Sequence, residues 1–525
     1  GAAGLHRFPA VVPALPARVF QAHLAQLDGR LSLPVERPEE ALPGGGLRLS
    51  VRPRLGDGMK AVADYMRRYP YGCMEQKLSA AVTLRDPILW ARWAAQVPAH
   101  LDDDGLLKYF PSLPSGDPVL TAYAVAVSRT AGWTLPGDLL ARMTAGLKRF
   151  VEGRLARHSP LPTADLTVRK LAAVAALARI GAAEPALIDS LAVEPNLWPT
   201  SAVIDWIEIL LALPGIPHRA ERQAEAEQAL RARLVDQGGR LAFSTEASDG
   251  LWWLMVSNDL NAVRLVLAAL QMEGWQADLP QLVRGALARQ RHGHWDLTTA
   301  NAWGVLAMER FSERFEAGDV TGTTRVGLAG QSRHFDWGSP LRADALVMAW
   351  PADKAELVVE HQGAGRPWLT VQGVATLALK APLSNGYSIR KTVDAIEQRV
   401  PDRWSRGDVL RVRLEIEAQA DMTWVAVSDP VPAGSTILGT GLGRDSGLLA
   451  RADEPIPGPR PAYEERSFEA FRAYYDYVPK GRWTVEYALR LNQPGAFRLP
   501  PTRAEALYAP EVFGEIPNES IEVSP

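Results

Sequence analysis

A single cysteine, Cys73, occurs in 525 residues, so no disulfide can form within the chain. The 16 tryptophans show that this scarcity is not a general avoidance of rare residues. A lone cysteine is ordinarily a buried small hydrophobe, and its neighbours must decide whether it is more than that. Long apolar runs are missing as well: no stretch of about 18 apolar residues occurs, which excludes a membrane-spanning helix. Charge of one sign is lacking, since the formal net charge is only -3, and there is neither a basic stripe nor a stacking platform for nucleic acid. No serine, cysteine or metal protease constellation can be assembled, so turnover catalysis, a cofactor and a bound metal are not expected. The opening Gly1-Ala2-Ala3-Gly4 lacks the charged and apolar regions of a signal peptide and reads as an artificial lead-in, with targeting information expected to be missing.

What is present is ordinary foldable sequence: with 47% hydrophobic and 22% charged residues, the whole length can bury cores. The length predicts roughly three domains. Residues 1–57 are rich in Pro and Gly, and Leu47, Leu49 and Val51 alternate with Arg48, Ser50 and Arg52 as in a half-buried strand. From residue 58 to 317 the period becomes helical. Leu166 to Ile180 is stopped by Gly181, and Ser201 to Leu213 by Pro214-Gly215. Similar helical units recur at Thr121 to Val125, Asn261 to Leu270 and Thr299 to Met308. Each follows a loop pairing Gly with an aromatic residue, at Gly105 to Phe110, Gly239 to Phe243 and Gly293 to Trp295. Such units cannot bury their apolar faces alone and should stack or close into a ring, an α/α toroid. After Gly318 the period returns to two, at Trp368 to Leu379, Leu410 to Ile416 and Trp483 to Leu489, predicting a C-terminal β-sandwich. β segments on both sides of the helices suggest a helical domain inserted into one β domain, over 1–57 and 318–383, with a second β domain over 384–525.

The most informative stretch is Tyr69-Pro70-Tyr71-Gly72-Cys73-Met74-Glu75-Gln76. Pro70 stops the helix expected over Ala61 to Arg68, Gly72 permits a tight and even left-handed turn, and Cys73 opens a new helix. A helix start should lower the thiol's pKa. Cys73 and Gln76, three apart on one turn, place sulfur and carboxamide within reach of each other. The thiolate can attack the Gln76 carbonyl, expel ammonia and leave a strained cyclic thioester, an electrophile whose lifetime depends on exclusion of water. Tyr69 and Tyr71 are suited to exclude it, although plain packing at a helix junction is an equal alternative.

Gly72-Cys73-Met74-Glu75-Gln76 matches the Gly-Cys-x-Glu-Gln thioester motif of the α2-macroglobulin and complement family, and Tyr69-Pro70-Tyr71 resembles its bacterial branch. Gly116 to Tyr123 is similar to the segment downstream of the motif, and Gly495 to Phe497, Pro500-Pro501 and Ala504 to Pro510 resemble the end of the last β domain. The resemblance covers nearly the whole chain. It implies a CUB-like domain split over 1–57 and 318–383, a thioester domain over 58–317 built as an α/α toroid, and a macroglobulin-like β-sandwich over 384–525. It further implies a C-terminal part of a periplasmic or envelope-anchored protease trap, whose partners are target proteases, captured through lysine amines, and the earlier macroglobulin-like domains. In bacterial relatives the tyrosine matching Tyr69 and a methionine of the terminal segment shield the thioester. Here Leu507 replaces that methionine, beside Tyr508. No histidine matches the one that steers complement proteins towards hydroxyls; His292 and His294 read as surface or packing residues.

Two other functions compete. A terpene cyclase or prenyltransferase would share the helical ring, but its acidic cluster could only be Asp102-Asp103-Asp104, which reads as a solvated turn. The same architecture could also be a structural or binding module whose Cys73 and Gln76 never join.

Overall fold

A computed structural model describes residues 18–57, 59–161, 163–189, 191, 194–244, 250–316, 318–338, 346–439 and 458–525; the lead-in Gly1 to Gly4 lies outside them. Strands β1 (Arg18–Gln26), β2 (Arg30–Val35) and β3 (Gly46–Arg52) come first. Helices α1 (Lys60–Arg68), α2 (Met74–Thr83), α3 (Pro87–His100), α4 (Pro118–Thr130), α5 (Gly137–Val151), α6 (Leu166–Arg179), α7 (Thr200–Ala212) and α8 (Arg219–Arg231) follow. After a small hairpin of β4 (Leu234–Asp236) and β5 (Leu241–Phe243) come α9 (Asn258–Ala269), α10 (Leu279–Ala288) and α11 (Thr298–Phe315). Strands β6 (Thr323–Leu328), β7 (Gln331–Asp336), β8 (Leu346–Met348), β9 (Ala355–Gln362) and β10 (Trp368–Ala375) then resume the β structure.

The described chain forms two compact units, 19–37 with 46–374 and 38–45 with 375–525. In the first, strands from before and after the helices share sheets: one is ordered β1-β10-β3-β8, the other β2-β9-β6-β7. Leu49 lies opposite Val371 in the antiparallel β3–β10 pair, and Leu33 opposite Leu357 in β2–β9. The alternation read in Leu47, Leu49 and Val51 buries those side chains with Val326, Leu328, Leu357, Val359, Leu369 and Val371.

Between these strands the helices form a closed sequence of contacts. α2 packs on α4, α4 on α6, α6 on α7, α7 on α9, α9 on α11, and α11 returns to α2. Inner helices are buried almost all round: α7 buries every residue from Thr200 to Leu210. The outer α8 buries only Ala226, Ala229 and Leu230, as expected of a helix with one wet face. The three Gly–aromatic loops share a physical device, since Gly105, Gly239 and Gly293 are all left-handed, with φ of 81°, 80° and 87°. The second is the tight hairpin β4–β5 rather than an open loop.

The second unit holds β11 (Leu383–Asn385), β12 (Tyr387–Glu397), β13 (Trp404–Ser405), β14 (Val409–Ala418), β15 (Met422–Pro430), β16 (Thr436–Ile437) and β17 (Tyr463–Arg466). It continues with β18 (Ala470–Val478), β19 (Gly481–Arg490), β20 (Gly495–Phe497), β21 (Thr502–Ala506), β22 (Ala509–Ile516) and β23 (Ile521–Ser524). A six-stranded sheet, β11-β22-β21-β15-β18-β17, and a four-stranded sheet, β12-β14-β19-β16, are bridged by aromatic contacts. Phe471 of β18 stacks on Tyr487 of β19 at 4.5 Å, and Tyr475 meets Trp483 edge-on. Asp429 is fully buried among them, accepting from Tyr487 Oη at 2.5 Å and Lys391 Nζ at 2.7 Å and from the Thr502 hydroxyl.

Candidate functional site

Cys73 is the N-cap of α2, in extended conformation, after α1 ends at Tyr69 and Pro70 breaks the chain direction. Its backbone N–H donates to Gln76 Oε1 at 3.0 Å. The Gln76 backbone N–H donates in return to the Cys73 sulfur, a reciprocal box that satisfies two orphan donors of the helix start. Both side chains are about 98% buried. Sulfur and carboxamide oxygen thus each rest on the other residue's backbone N–H at the helix start. Gln76 Nε2 points to Tyr69 Oη at 3.5 Å.

Two local expectations are corrected. The Cys73 thiol is not made acidic by the helix start: burial pushes its pKa well up and the nearby Glu75 charge adds to that, outweighing the backbone donors. Gly72 is not left-handed. A Cβ there would sit 3.7 Å from Lys77 Cε, an ordinary contact.

Met74 is fully buried; its N–H donates to the Tyr109 carbonyl at 3.1 Å, and its own carbonyl accepts from Trp93 Nε1 at 2.9 Å. Glu75 is wholly enclosed, and its carboxylate accepts from Ser79 Oγ at 2.5 Å and Thr298 Oγ1 at 2.8 Å. Because Ser79 gives its proton to Glu75, the Tyr123 hydroxyl donates to Ser79 Oγ, at 2.6 Å. This network ties α2 to α4 and α11. Ser79, one turn after Glu75 on α2, was within reach of sequence reasoning and was missed; Tyr123 and Thr298 meet the network only through the packing of α4 and α11 on α2.

Tyr71 is buried and Tyr69 half-buried, with rings edge-to-face at 5.6 Å. Leu507 and Tyr508 lie in the other unit, as the buried link from β21 to β22; the Leu507 N–H donates to the Trp424 carbonyl at 2.9 Å. His294, read as surface or packing, is a packing residue: its ring stacks on Tyr65 at 3.6 Å. Burial pushes its pKa down to about 4. In the turn before it, His292 is left-handed, with φ of 55°.

Of Asp102-Asp103-Asp104, Asp103 is exposed in a turn as expected, but its two neighbours are not simply solvated. Asp102 is buried and accepts from Leu106 N–H at 2.8 Å, Gly116 N–H at 2.7 Å and Arg157 Nη2 at 2.8 Å. Asp104 pairs with Arg149 and Arg157. Asp102 and Asp104 are therefore committed to closing a loop. A cavity of about 80 Å³ lies among the inner helices, but its Asp205 and Glu208 are paired with Arg264, and Glu208 also with Arg179. Among the described residues no group of His, Cys, Asp and Glu could hold a metal ion.

One buried carboxylate near the His294 turn gives a pH prediction. Burial and then the neighbouring Asp259 raise the Asp296 pKa to about 7. A raised carboxyl pKa contributes stability below the unfolded value, about 3.9, and loses it as pH rises through the folded value. The helical domain should thus lose roughly 1–3 kcal/mol between pH 5 and 8 from this group. Asp296→Asn keeps the oxygen that accepts from Ser257 Oγ and should flatten that slope in urea titrations followed by helical circular dichroism. An unchanged slope would mean that another group titrates.

With this geometry in view, the comparisons identify the architecture. Residues 386–511 match the family described as "Bacterial Alpha-2-macroglobulin MG10 domain". Native E. coli α2-macroglobulin, from domain MG7 to the C-terminus, superposes with a TM-score of 0.69 at 18% identity, over 98% of this chain and 83% of that one. Salmonella α2-macroglobulin reacted with methylamine gives 0.67 at 20% identity, over 98% of this chain and 34% of that one. Native E. coli α2-macroglobulin seen by cryo-EM gives 0.68 at 17%, over 98% and 33%. No curated protein sequence matches. The chain is thus a macroglobulin-type assembly of β-sandwiches and a helical domain, spanning about a third of the longer structures. Its last domain matches in sequence the MG10 domain of bacterial α2-macroglobulins, and its fold is that of their C-terminal region.

Proposed function

We propose that the chain is the reactive C-terminal part of a periplasmic or envelope-associated protease trap, in which Cys73 and Gln76 form an internal thioester that bonds an attacking protease. In this reading the ring of helices is the thioester domain, an α/α toroid, inserted in a CUB-like domain made of β1–β3 and β6–β10. The observation that carries the proposal is the buried reciprocal contact of Cys73 with Gln76. The methylamine used on the Salmonella protein of the same fold makes amine attack the natural test.

The steps balance simply. Cys73 sulfur attacks Gln76 Cδ, the thiol proton passes to the departing nitrogen, and ammonia leaves. The Cys73 N–H on Gln76 Oε1 stabilises negative charge developing on that oxygen. Later a protease lysine amine attacks Cδ, forming an amide bond while the sulfur departs and takes up a proton. Burial guards the bond twice, by excluding water and by disfavouring the thiolate that must leave, as the raised thiol pKa expresses. Exposure on activation of the whole protein would lift both restraints.

An intact mass should be lower than the sequence mass by one ammonia. Methylamine should add to Gln76 and release one titratable thiol. Cys73→Ala should show neither change. Full sequence mass in freshly prepared wild-type protein would remove the thioester and leave a binding or structural module.

A further inference from the structure

The tyrosine against Gln76 is itself held from the far end of the helical domain. Tyr69 meets Tyr65, one turn earlier on α1, edge-to-face at 5.6 Å. Tyr65 also meets His294, 229 positions on (294 − 65), whose imidazole lies flat on the ring at 3.6 Å and 8°. His294 sits on a rigid base. Arg291 N–H donates to His294 O at 2.9 Å and His294 N–H to Arg291 O at 3.2 Å, closing a two-residue turn in which His292 and Gly293 are both left-handed. His294 Nδ1 donates to the Trp295 carbonyl at 2.7 Å, which fixes the ring plane. Trp295 is fully buried and anchored through Nε1 to the Ala286 carbonyl at 2.8 Å. A Cβ on Gly293 would come within 2.6 Å of Ala61 Cβ, so the turn is seated tightly against α1.

We infer that His294 and Tyr65 are positioning residues that hold Tyr69 over the Cys73–Gln76 pair, through a stack running from His294 to Tyr65 to Tyr69. Tyr69 is half-buried and its hydrogen bond to Gln76 is long at 3.5 Å, so the position of its ring depends on the rings packed against it. Stacked and edge-to-face partners supply the missing restraint. The neutral imidazole suits this role, because a flat stack on an electron-rich ring inside the protein leaves no water to solvate a charge. The inference adds a function for His294 to the thioester proposal, but the shielding itself concerns access to Cys73 and holds whether or not the bond has formed.

The test is the rate at which the Cys73 thiol becomes titratable, in the whole chain. His294→Ala, Tyr65→Ala and Tyr65→Phe are made singly and in combination with Tyr69→Ala. Each Ala variant should speed thiol release about three- to tenfold, the range of one aromatic pair. Tyr65→Phe should keep the wild-type rate because the contacts with Tyr69 and His294 use the ring. In the Tyr69→Ala background none should add further acceleration. Wild-type rates in His294→Ala and Tyr65→Ala, or full acceleration on top of Tyr69→Ala, would overturn the inference. If His294→Ala fails to fold, the Tyr65 pair decides. If intact mass shows that no thioester forms, the same variants are compared by the rate at which a disulfide reagent reaches the free Cys73, with the same expected order. Failure of the thioester and failure of the stack are thereby separate outcomes.

Discussion

Tyr69→Ala should hydrolyse the proposed thioester about ten- to a hundredfold faster than wild type, equivalent to about 1.4–2.8 kcal/mol of lost barrier. Tyr69 is the side chain whose hydroxyl approaches the Gln76 carboxamide, and its ring joins those of Tyr65 and Tyr71. Replacing it with a methyl group opens a path of a whole ring to Gln76 Cδ while leaving the reciprocal Cys73–Gln76 contact in place. Because Tyr69 is half-buried, its removal should cost less fold stability than the 3–5 kcal/mol, roughly, of a fully buried aromatic. The measurement is the time course of thiol appearance at neutral pH, with intact mass following the gain of water. Equal rates for wild type and Tyr69→Ala would return Tyr69 to ordinary packing.

Arg264→Met should destabilise the helical domain by about 3–5 kcal/mol at neutral pH, the range for removing one partner from a buried charge cluster. Arg264 donates to Asp205 at 2.5 Å and to Glu208 at 3.2 Å in the middle of the helical ring. Burial already raises the Asp205 pKa, and Arg264 is the main influence lowering it. Without the guanidinium the carboxyl is pushed higher still. Its folded pKa then exceeds the unfolded one by more than in wild type, so the variant recovers stability as pH falls and loses most above the new pKa. Urea midpoints followed by helical circular dichroism at pH 5 and pH 8 should therefore differ more in the variant than in wild type. A midpoint shift independent of pH would mean lost packing, and not an unpaired carboxylate, sets the cost.

The positions where sequence alone succeeded are those governed by local rules. Pro70 after α1, Gly181 after α6 and Pro214 after α7 mark helix ends because backbone sterics act within a few residues. The alternations in β14 and β19 mark inside and outside because successive side chains point to opposite faces, whereas in β3 Ser50, read as outward, is buried as well. The three-residue spacing of Cys73 and Gln76 is likewise local, and the capping box at the start of α2 forms from it.

What failed depended on burial and on residues far away in sequence. An isolated helix start lowers a thiol's pKa, but Cys73 is buried at the start of α2, which packs on α1, α3 and α11, and desolvation outweighs the helix end. Asp102 read as wet because its run is polar; Arg157, 55 residues later, makes it a buried anion. The Glu75 network, the Arg264 cluster and the His294 stack have no sequence signature. Their partners meet only through packing of elements distant in sequence: α11 on α2, α9 on α7, and the His294 turn on α1. The sequence by itself determined where helices begin and end, which strand faces are apolar and that Cys73 and Gln76 share one turn, since these follow from periods of a few residues. Tertiary structure alone decided which polar groups are dry, which charges are paired and which ring rests on Tyr65, because the dielectric around a side chain is set by neighbours that the chain supplies hundreds of residues away.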